Sequence, residues 1–258
     1  MVSAGQPGPE GTAGGAPGRG MRRRDWRILV AGVTAITLAG VAAAAILIAT
    51  HRPSTTLLRP SGIPASVSTG LADLMELSSL PHRPAPGFTL TDQNGRTMSL
   101  SALRGKVVVL EFMDPHCVDI CPIVSQEFVD AYHDLGRAAG KVVFAAINVN
   151  QYHASVAAMA GYSREHGLTA IPSWHFFTGP LPALQSAWRA YEIAVQAPNP
   201  NADIIHTSAI YFIGPAGQET FLASPMADHT RKGTAFLPAS QLAEWGHGIA
   251  LIAGHLAG

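Results

Sequence analysis

Two nearly unbroken apolar runs constrain this chain most: Val107-Val-Val-Leu-Glu-Phe-Met113 and Lys141-Val-Val-Phe-Ala-Ala-Ile-Asn-Val149. Strands this apolar have few polar side chains to turn toward water, so they belong inside a sheet covered on both faces. Between them, Ile123-Val-Ser-Gln-Glu-Phe-Val-Asp-Ala-Tyr-His-Asp-Leu135 reads as an amphipathic helix that ends by Gly140. The alternation continues, with a helix over 154–166 stopped by Gly167, a short strand over 174–177 and a helix over 184–193. Residues 197–202 form a loop, strands over 208–213 and 219–222 form a hairpin around Gly214-Pro-Ala-Gly217, and a last helix runs from Pro238 toward Leu256. An earlier hairpin is signalled by Asp92-Gln-Asn-Gly95 between Phe88-Thr-Leu-Thr91 and Thr97-Met-Ser-Leu100. The pattern is α/β around a mixed sheet, one domain with no internal repeat.

The first third of the chain reads differently. Residues 1–20 hold seven Gly and three Pro and too little apolar mass for a core. Arg19, Arg22, Arg23, Arg24 and Arg27 precede residues 28–50, an uncharged stretch of 23 residues. At ~1.5 Å per residue such a helix crosses a bilayer core of ~30 Å. Arginines on its near side predict a cytoplasmic N-terminus and an exported remainder. The domains expected are therefore a basic cytoplasmic tail (1–27), a transmembrane anchor (28–50), a Pro- and Ser-rich linker (51–86) and a folded domain (87–258). The rival reading of 28–50 is a cleaved signal peptide, with small residues at 42–45 for cleavage. Both put the domain outside the cytoplasm. Residues 51–258 carry 12 Lys+Arg against 15 Asp+Glu, with no basic stripe, which argues against nucleic acid as a partner.

The chain's two cysteines, Cys117 and Cys121, stand where the strand at Val107 hands over to the next helix. Unpaired N–H groups and the positive dipole end at such a junction favour thiolate. Their spacing puts the sulfurs about one helical turn apart. Such a pair can close a disulfide, exchange electrons with other thiols, or hold a soft ion, of which copper(I) and zinc are the natural guests. A metal would need a third donor, and eleven histidines are available. His116 adjoins Cys117 and is better placed to tune it than to share its ion. His247 and His255 lie eight residues apart on the last helix, too loosely placed to make an obvious site. His175 reads as a satisfied sheet residue and His229 as a solvated loop residue. His206 stands just before the strand that opens the second hairpin and could face the cysteine helix.

The segment Phe112-Met-Asp-Pro-His-Cys-Val-Asp-Ile-Cys-Pro122 resembles the C-x-x-x-C-P site of the Sco/SenC family of membrane-anchored copper proteins. Ile205-His-Thr-Ser-Ala-Ile-Tyr-Phe-Ile-Gly-Pro-Ala-Gly217 resembles that family's histidine segment and hairpin. The resemblance implies a thioredoxin-like fold, with copper held by Cys117, Cys121 and His206. It also implies assembly of the binuclear copper site in subunit II of cytochrome c oxidase, or service to another extracytoplasmic copper protein. The chain departs from the family pattern at Val118, where proline is usual, and at Ile205, where aspartate is usual. A third departure is Asn148-Val-Asn150-Gln151, where an aspartate-rich turn is common. Two other readings of the same pair stay open: a thiol–disulfide oxidoreductase of the thioredoxin class, and a structural disulfide. A peroxiredoxin-like peroxidase fails on pattern, because the residues three before the cysteines are Asp114 and Val118 rather than Thr or Ser.

Overall fold

The computed structural model describes residues 61–258. The expected tail, the anchor and the first ten residues of the linker lie outside the described residues. No helix among the described residues is long and apolar enough to cross a membrane.

Chain order is α1 (Thr69–Leu74), β1 (Ser78–Ser79), β2 (Thr89–Thr91), β3 (Thr97–Ser99), β4 (Val107–Met113), α2 (Ile120–Asp134), β5 (Val142–Asn148) and α3 (Val156–Glu165). Then come β6 (Trp174–Phe177), α4 (Leu181–Ala190), β7 (Val195–Gln196), β8 (Ile205–His206), β9 (Ile210–Ile213), β10 (Glu219–Ala223), β11 (Asp228–His229), β12 (Ala235–Phe236) and α5 (Ala239–Ala257). The main sheet has the order β1-β10-β9-β4-β5-β6. β4, β5 and β6 are parallel, and β9, β10 and β1 add antiparallel to the free side of β4. This is a thioredoxin-like mixed sheet.

Side-chain alternation splits the core into two layers. Val107, Val109 and Met113 of β4 and Phe144 and Ala146 of β5 face α1, α2, α3 and α5, where Met75, Phe128, Met159, Trp245 and Ile249 meet them. Val108, Leu110, Phe112, Val143, Ala145 and Ile147 face the other way, onto Leu184 and Trp188 of α4 and Leu90 and Leu100 beside the β2–β3 hairpin. All seven residues of β4 and of β5 are buried, as a double-covered strand requires. The Asn94-Gly95 turn forms as expected. Gly95 takes the positive φ of 78°, and Asp92 accepts the N–H groups of Asn94 and Arg96, each at 2.9 Å.

The linker expectation for 51–86 needs correction over its described part. Ile63, Val67, Ala72, Met75 and Leu77 are buried in the main core, and β1 pairs with β10. The Arg83 guanidinium meets the buried Glu219 carboxylate at 2.8 Å. The folded unit therefore begins well before Gly87. Proline and serine are frequent in this segment, but its buried apolar residues, with Leu71 and Leu74 packed beside them, suffice to seat it on α5 and the sheet.

Candidate metal centre

β4 ends at Met113 and the chain turns at Asp114-Pro-His-Cys-Val-Asp119 before α2 begins. Asp114 is buried and pins this turn: one carboxylate oxygen accepts the His116 N–H at 2.8 Å and the Asn150 side-chain amide at 2.9 Å. Asn148 supports Asn150 in turn, accepting its N–H at 2.8 Å and donating to its carbonyl at 2.9 Å. Asn148 and Asn150 thus brace the cysteine turn from behind.

Cys117 lies in the turn at the strand–helix junction, and Cys121 lies in the first turn of α2. Asp119, the residue that precedes α2, makes no side-chain cap to the helix; its carboxylate accepts instead from His229 at 2.8 Å. The Cys117 sulfur takes over the capping role and accepts the N–H groups of Asp119 and Cys121, each at 3.4 Å. Pro122 follows in the first helical turn, where a missing N–H leaves no bond unmade.

Both thiols are free, Cys117 half-buried and Cys121 buried. Their environments push them apart. A hydrogen bond from the Cys121 thiol, helped by the two backbone N–H groups, holds Cys117 down to about 7 against the opposing effect of burial. Donating that hydrogen bond, and burial, raise Cys121 well above the ordinary thiol range. The junction therefore favours thiolate at Cys117 and thiol at Cys121, where the sequence suggested a common tendency for both.

His206 reaches the site on β8, which pairs with β7 through Val195↔His206 and Gln196↔Ile205. The loop expected over 197–202 forms, and it joins the two strands of this ribbon, which the sequence pattern does not signal. Its Nδ1 lies 3.0 Å from the Thr207 carbonyl. That geometry assigns the proton to Nδ1 and leaves the Nε2 lone pair for a ligand. Burial lowers the His206 pKa and so favours the neutral, ligating ring.

A cavity of about 490 Å³ joins these parts, lined by Cys117 and His206 together with Asp114, His116, Asp203 and Ser208. Cys121 sits behind Cys117, one hydrogen bond from the cavity. Among the described residues no three His, Cys, Asp or Glu side chains are grouped tightly enough to hold an ion in place. The three sequence candidates thus share one site but not yet one coordination shell. Two of the family departures stand on its rim: Val118 is 86% and Ile205 65% exposed, so apolar side chains flank the opening.

Several of the other described histidines have partners of their own. His116 stacks on His153, with ring centroids 3.6 Å apart. His175 meets buried Asp92 at 3.1 Å, as a satisfied sheet residue should. His229 is bound to Asp119 and is not simply solvated, and His247 pairs with Asp134 at 3.0 Å on the far end of α2.

Beneath the cavity lies a group that the sequence did not single out. Glu111 of β4 is buried and accepts from Ser208 Oγ at 2.9 Å, and Glu127 of α2 is buried near it. Desolvation raises both carboxyls to about 8. One oxygen of Glu111, both of Glu127 and the indole nitrogen of Trp245 make no hydrogen bond. A lone Glu in an apolar strand was the available signal.

Comparison with known proteins agrees with this architecture. Residues 79–233 match the SCO1/SenC family model. A SCO1 protein homolog of Bacillus subtilis is 25% identical over 133 residues, covering 51% of this chain and 68% of that protein. The mitochondrial SCO2 homolog of Bos taurus is 30% identical over 136 residues, and the match spans half of each chain. The solved structure of Bradyrhizobium japonicum ScoI with copper bound superposes with a TM-score of 0.52 at 23% identity, over 67% of this chain and 99% of that one, a likeness of fold. With the family model covering more than half of its length, and the cysteine turn and histidine ribbon meeting at one cavity, the chain belongs to the SCO1/SenC family.

Proposed function

We propose that this protein carries copper outside the cytoplasm, holding the ion as cargo between Cys117, Cys121 and His206. The observation that carries this reading is the single cavity lined by Cys117 and His206, with Cys121 directly behind Cys117. The donor set suits the cargo: two sulfurs and a neutral imidazole match a soft ion, and a thiol at about 7 releases its proton readily on binding. His206 sits on a short ribbon at the rim, so the arm bearing it is expected to move toward the sulfurs when the ion enters. The ScoI structure that this fold resembles was solved with copper bound. The recipient we propose is the binuclear copper site of cytochrome c oxidase subunit II or another extracytoplasmic copper protein. The domain works from the outer face of the membrane, held there by the anchor expected over 28–50.

Anaerobic copper titration of the reduced chain, read by X-ray absorption, tests the reading. One ion per chain with sulfur and nitrogen donors is expected, and Cys117→Ser and Cys121→Ser should abolish tight binding. Should His206→Ala leave affinity and spectrum unchanged, the three-donor assignment fails.

The unequal thiols favour one second reading, a thiol–disulfide oxidoreductase. The Cys117 thiolate would attack a target disulfide, form a mixed disulfide and release the target's other sulfur as thiolate. Cys121 would then lose its proton and attack the Cys117 sulfur, expelling the reduced target. Fast reduction of a disulfide substrate by a chain that retains no copper would favour this reading over the first.

A further inference from the structure

The histidine arm leaves the sheet at a defined point. β9 pairs with β4 through Val108↔Ile213, Val109↔Phe212 and Leu110↔Tyr211, and the ladder stops there. β4 itself runs on to Met113, paired with β5 alone. From Ala209 back to His206 the chain departs from β4 and joins β7. Glu111 is the first residue of β4 beyond the last rung.

Its side chain continues what the ladder leaves off. Glu111 Oε1 accepts from Ser208 Oγ at 2.9 Å, and the backbone of Ala209 also hydrogen-bonds the carboxyl. Ser208 lines the same cavity as Cys117 and stands two residues from His206. Between Ser208 and His206, the Thr207 N–H donates to the Ala194 carbonyl at 3.0 Å, and the Thr207 hydroxyl accepts from the Ala194 N–H at 3.2 Å. The arm is thus held by two ties, one to the central strand and one to the rim ribbon. Only the first refers it to the strand that leads into the cysteine turn.

Packing alone does not account for a carboxyl here. Glu111 shares its sheet face with Val109 and Met113, and a leucine would fill such a place without leaving Oε2 unpartnered. The hydrogen bonds the carboxyl does make go to its own strand and to the histidine arm.

The geometry points to Glu111 as the positioning residue of the histidine arm: through Ser208 it sets where His206 stands relative to Cys117, and hence how far the third donor strengthens copper binding. This inference rests on the copper reading above. Partners that orient a metal ligand typically change affinity by about 10–100-fold when removed.

The test measures copper(I) affinity of the reduced full chain by anaerobic competition with a chromogenic chelator, with circular dichroism to verify folding. Glu111→Leu and Ser208→Ala should each weaken binding by about 10-fold, the low end of that range. Glu111→Gln, which keeps an acceptor for Ser208, should stay near the parent. Added to His206→Ala, Glu111→Leu should cause no further loss. If Glu111→Leu does not fold, Ser208→Ala, at a half-buried hydroxyl, carries the same comparison. Loss of equal size with and without His206 overturns the positioning role, as does unchanged affinity in the folded Glu111→Leu or Ser208→Ala variant. Where His206→Ala itself weakens binding, such a result sinks the positioning role alone. Where His206→Ala has no effect, the copper role of His206 falls first and the positioning role with it.

Discussion

Replacing Cys121 by alanine should move the titration of Cys117 upward, and the structure sets the size. Three donors lower the Cys117 thiol: the Cys121 thiol first, then the backbone N–H groups of Cys121 and Asp119 at 3.4 Å each. Together, against burial, they hold it at about 7. An ordinary cysteine titrates near ~8.5, and the difference corresponds to ~2 kcal/mol between the two protonation states. At pH 7 the thiolate fraction is then about one half, against roughly 3% for an ordinary thiol, a ~16-fold difference. Reactivity rises far less. A thiolate of lower pKa is a weaker nucleophile, with a Brønsted slope of ~0.45, which returns about 5-fold and leaves a net gain of only ~3-fold. Rate at a single pH is therefore a poor readout, and the inflection of the pH–rate profile is a good one. Iodoacetamide alkylation followed by mass spectrometry should show Cys117 reacting with an inflection near 7 and Cys121 lagging throughout. In Cys121→Ala the two backbone donors remain and the thiol donor is gone, so the inflection should climb by roughly one unit. An inflection unmoved by the substitution, or Cys121 reacting first in the parent, would refute the assignment of the thiol–thiol hydrogen bond as the main cause.

Two further outcomes concern the fold. The buried carboxyls of Glu111 and Glu127 are raised to about 8 from an unfolded value near ~4.3, so the folded state binds more protons between those pH values. Their contribution is complete below the unfolded pKa and is lost as pH rises through the folded one. Denaturant unfolding should therefore show stability falling between pH 5 and pH 8, and Glu127→Gln should flatten that slope; an unchanged slope would count against a buried, neutral Glu127. Gly246 on α5 lies so close to α2 that a Cβ would fall 2.7 Å from the Asp130 Cβ. Gly246→Ala should lose about 1–3 kcal/mol to overpacking despite a gain of about 1 kcal/mol in helix propensity, and a more stable variant in urea titration would show that the two helices separate freely.

Much of the fold was legible because its signals are local. The doubly buried strands β4 and β5, the Asn94-Gly95 turn and the helix stopped at Gly167 each follow from a run of side chains and a backbone preference. The segment from residue 61 to Gly87 was not legible, because its apolar residues are interrupted by proline and serine and their partners lie on distant elements. The β7–β8 ribbon escaped notice for a related reason: two residues per strand are too short to show a period, and only pairing defines them.

The candidate site divides along the same line. Sequence alone marked the candidate donors: two sulfurs at a strand–helix junction and, through the family resemblance, His206. It also marked Val118 and Ile205 as departures from the family pattern. Tertiary structure decided how those donors differ. It put Cys117 in the turn as the cap of α2 and Cys121 in the core, which separates the two thiols in acidity, because acidity depends on which N–H groups and how much water surround a sulfur. It brought His206 to the Cys117 cavity through a ribbon held by contacts far apart in the chain, and it set Glu111 beneath the arm. Such placements depend on which strand ends where the ladder stops, and that register exists only once the sheet has formed.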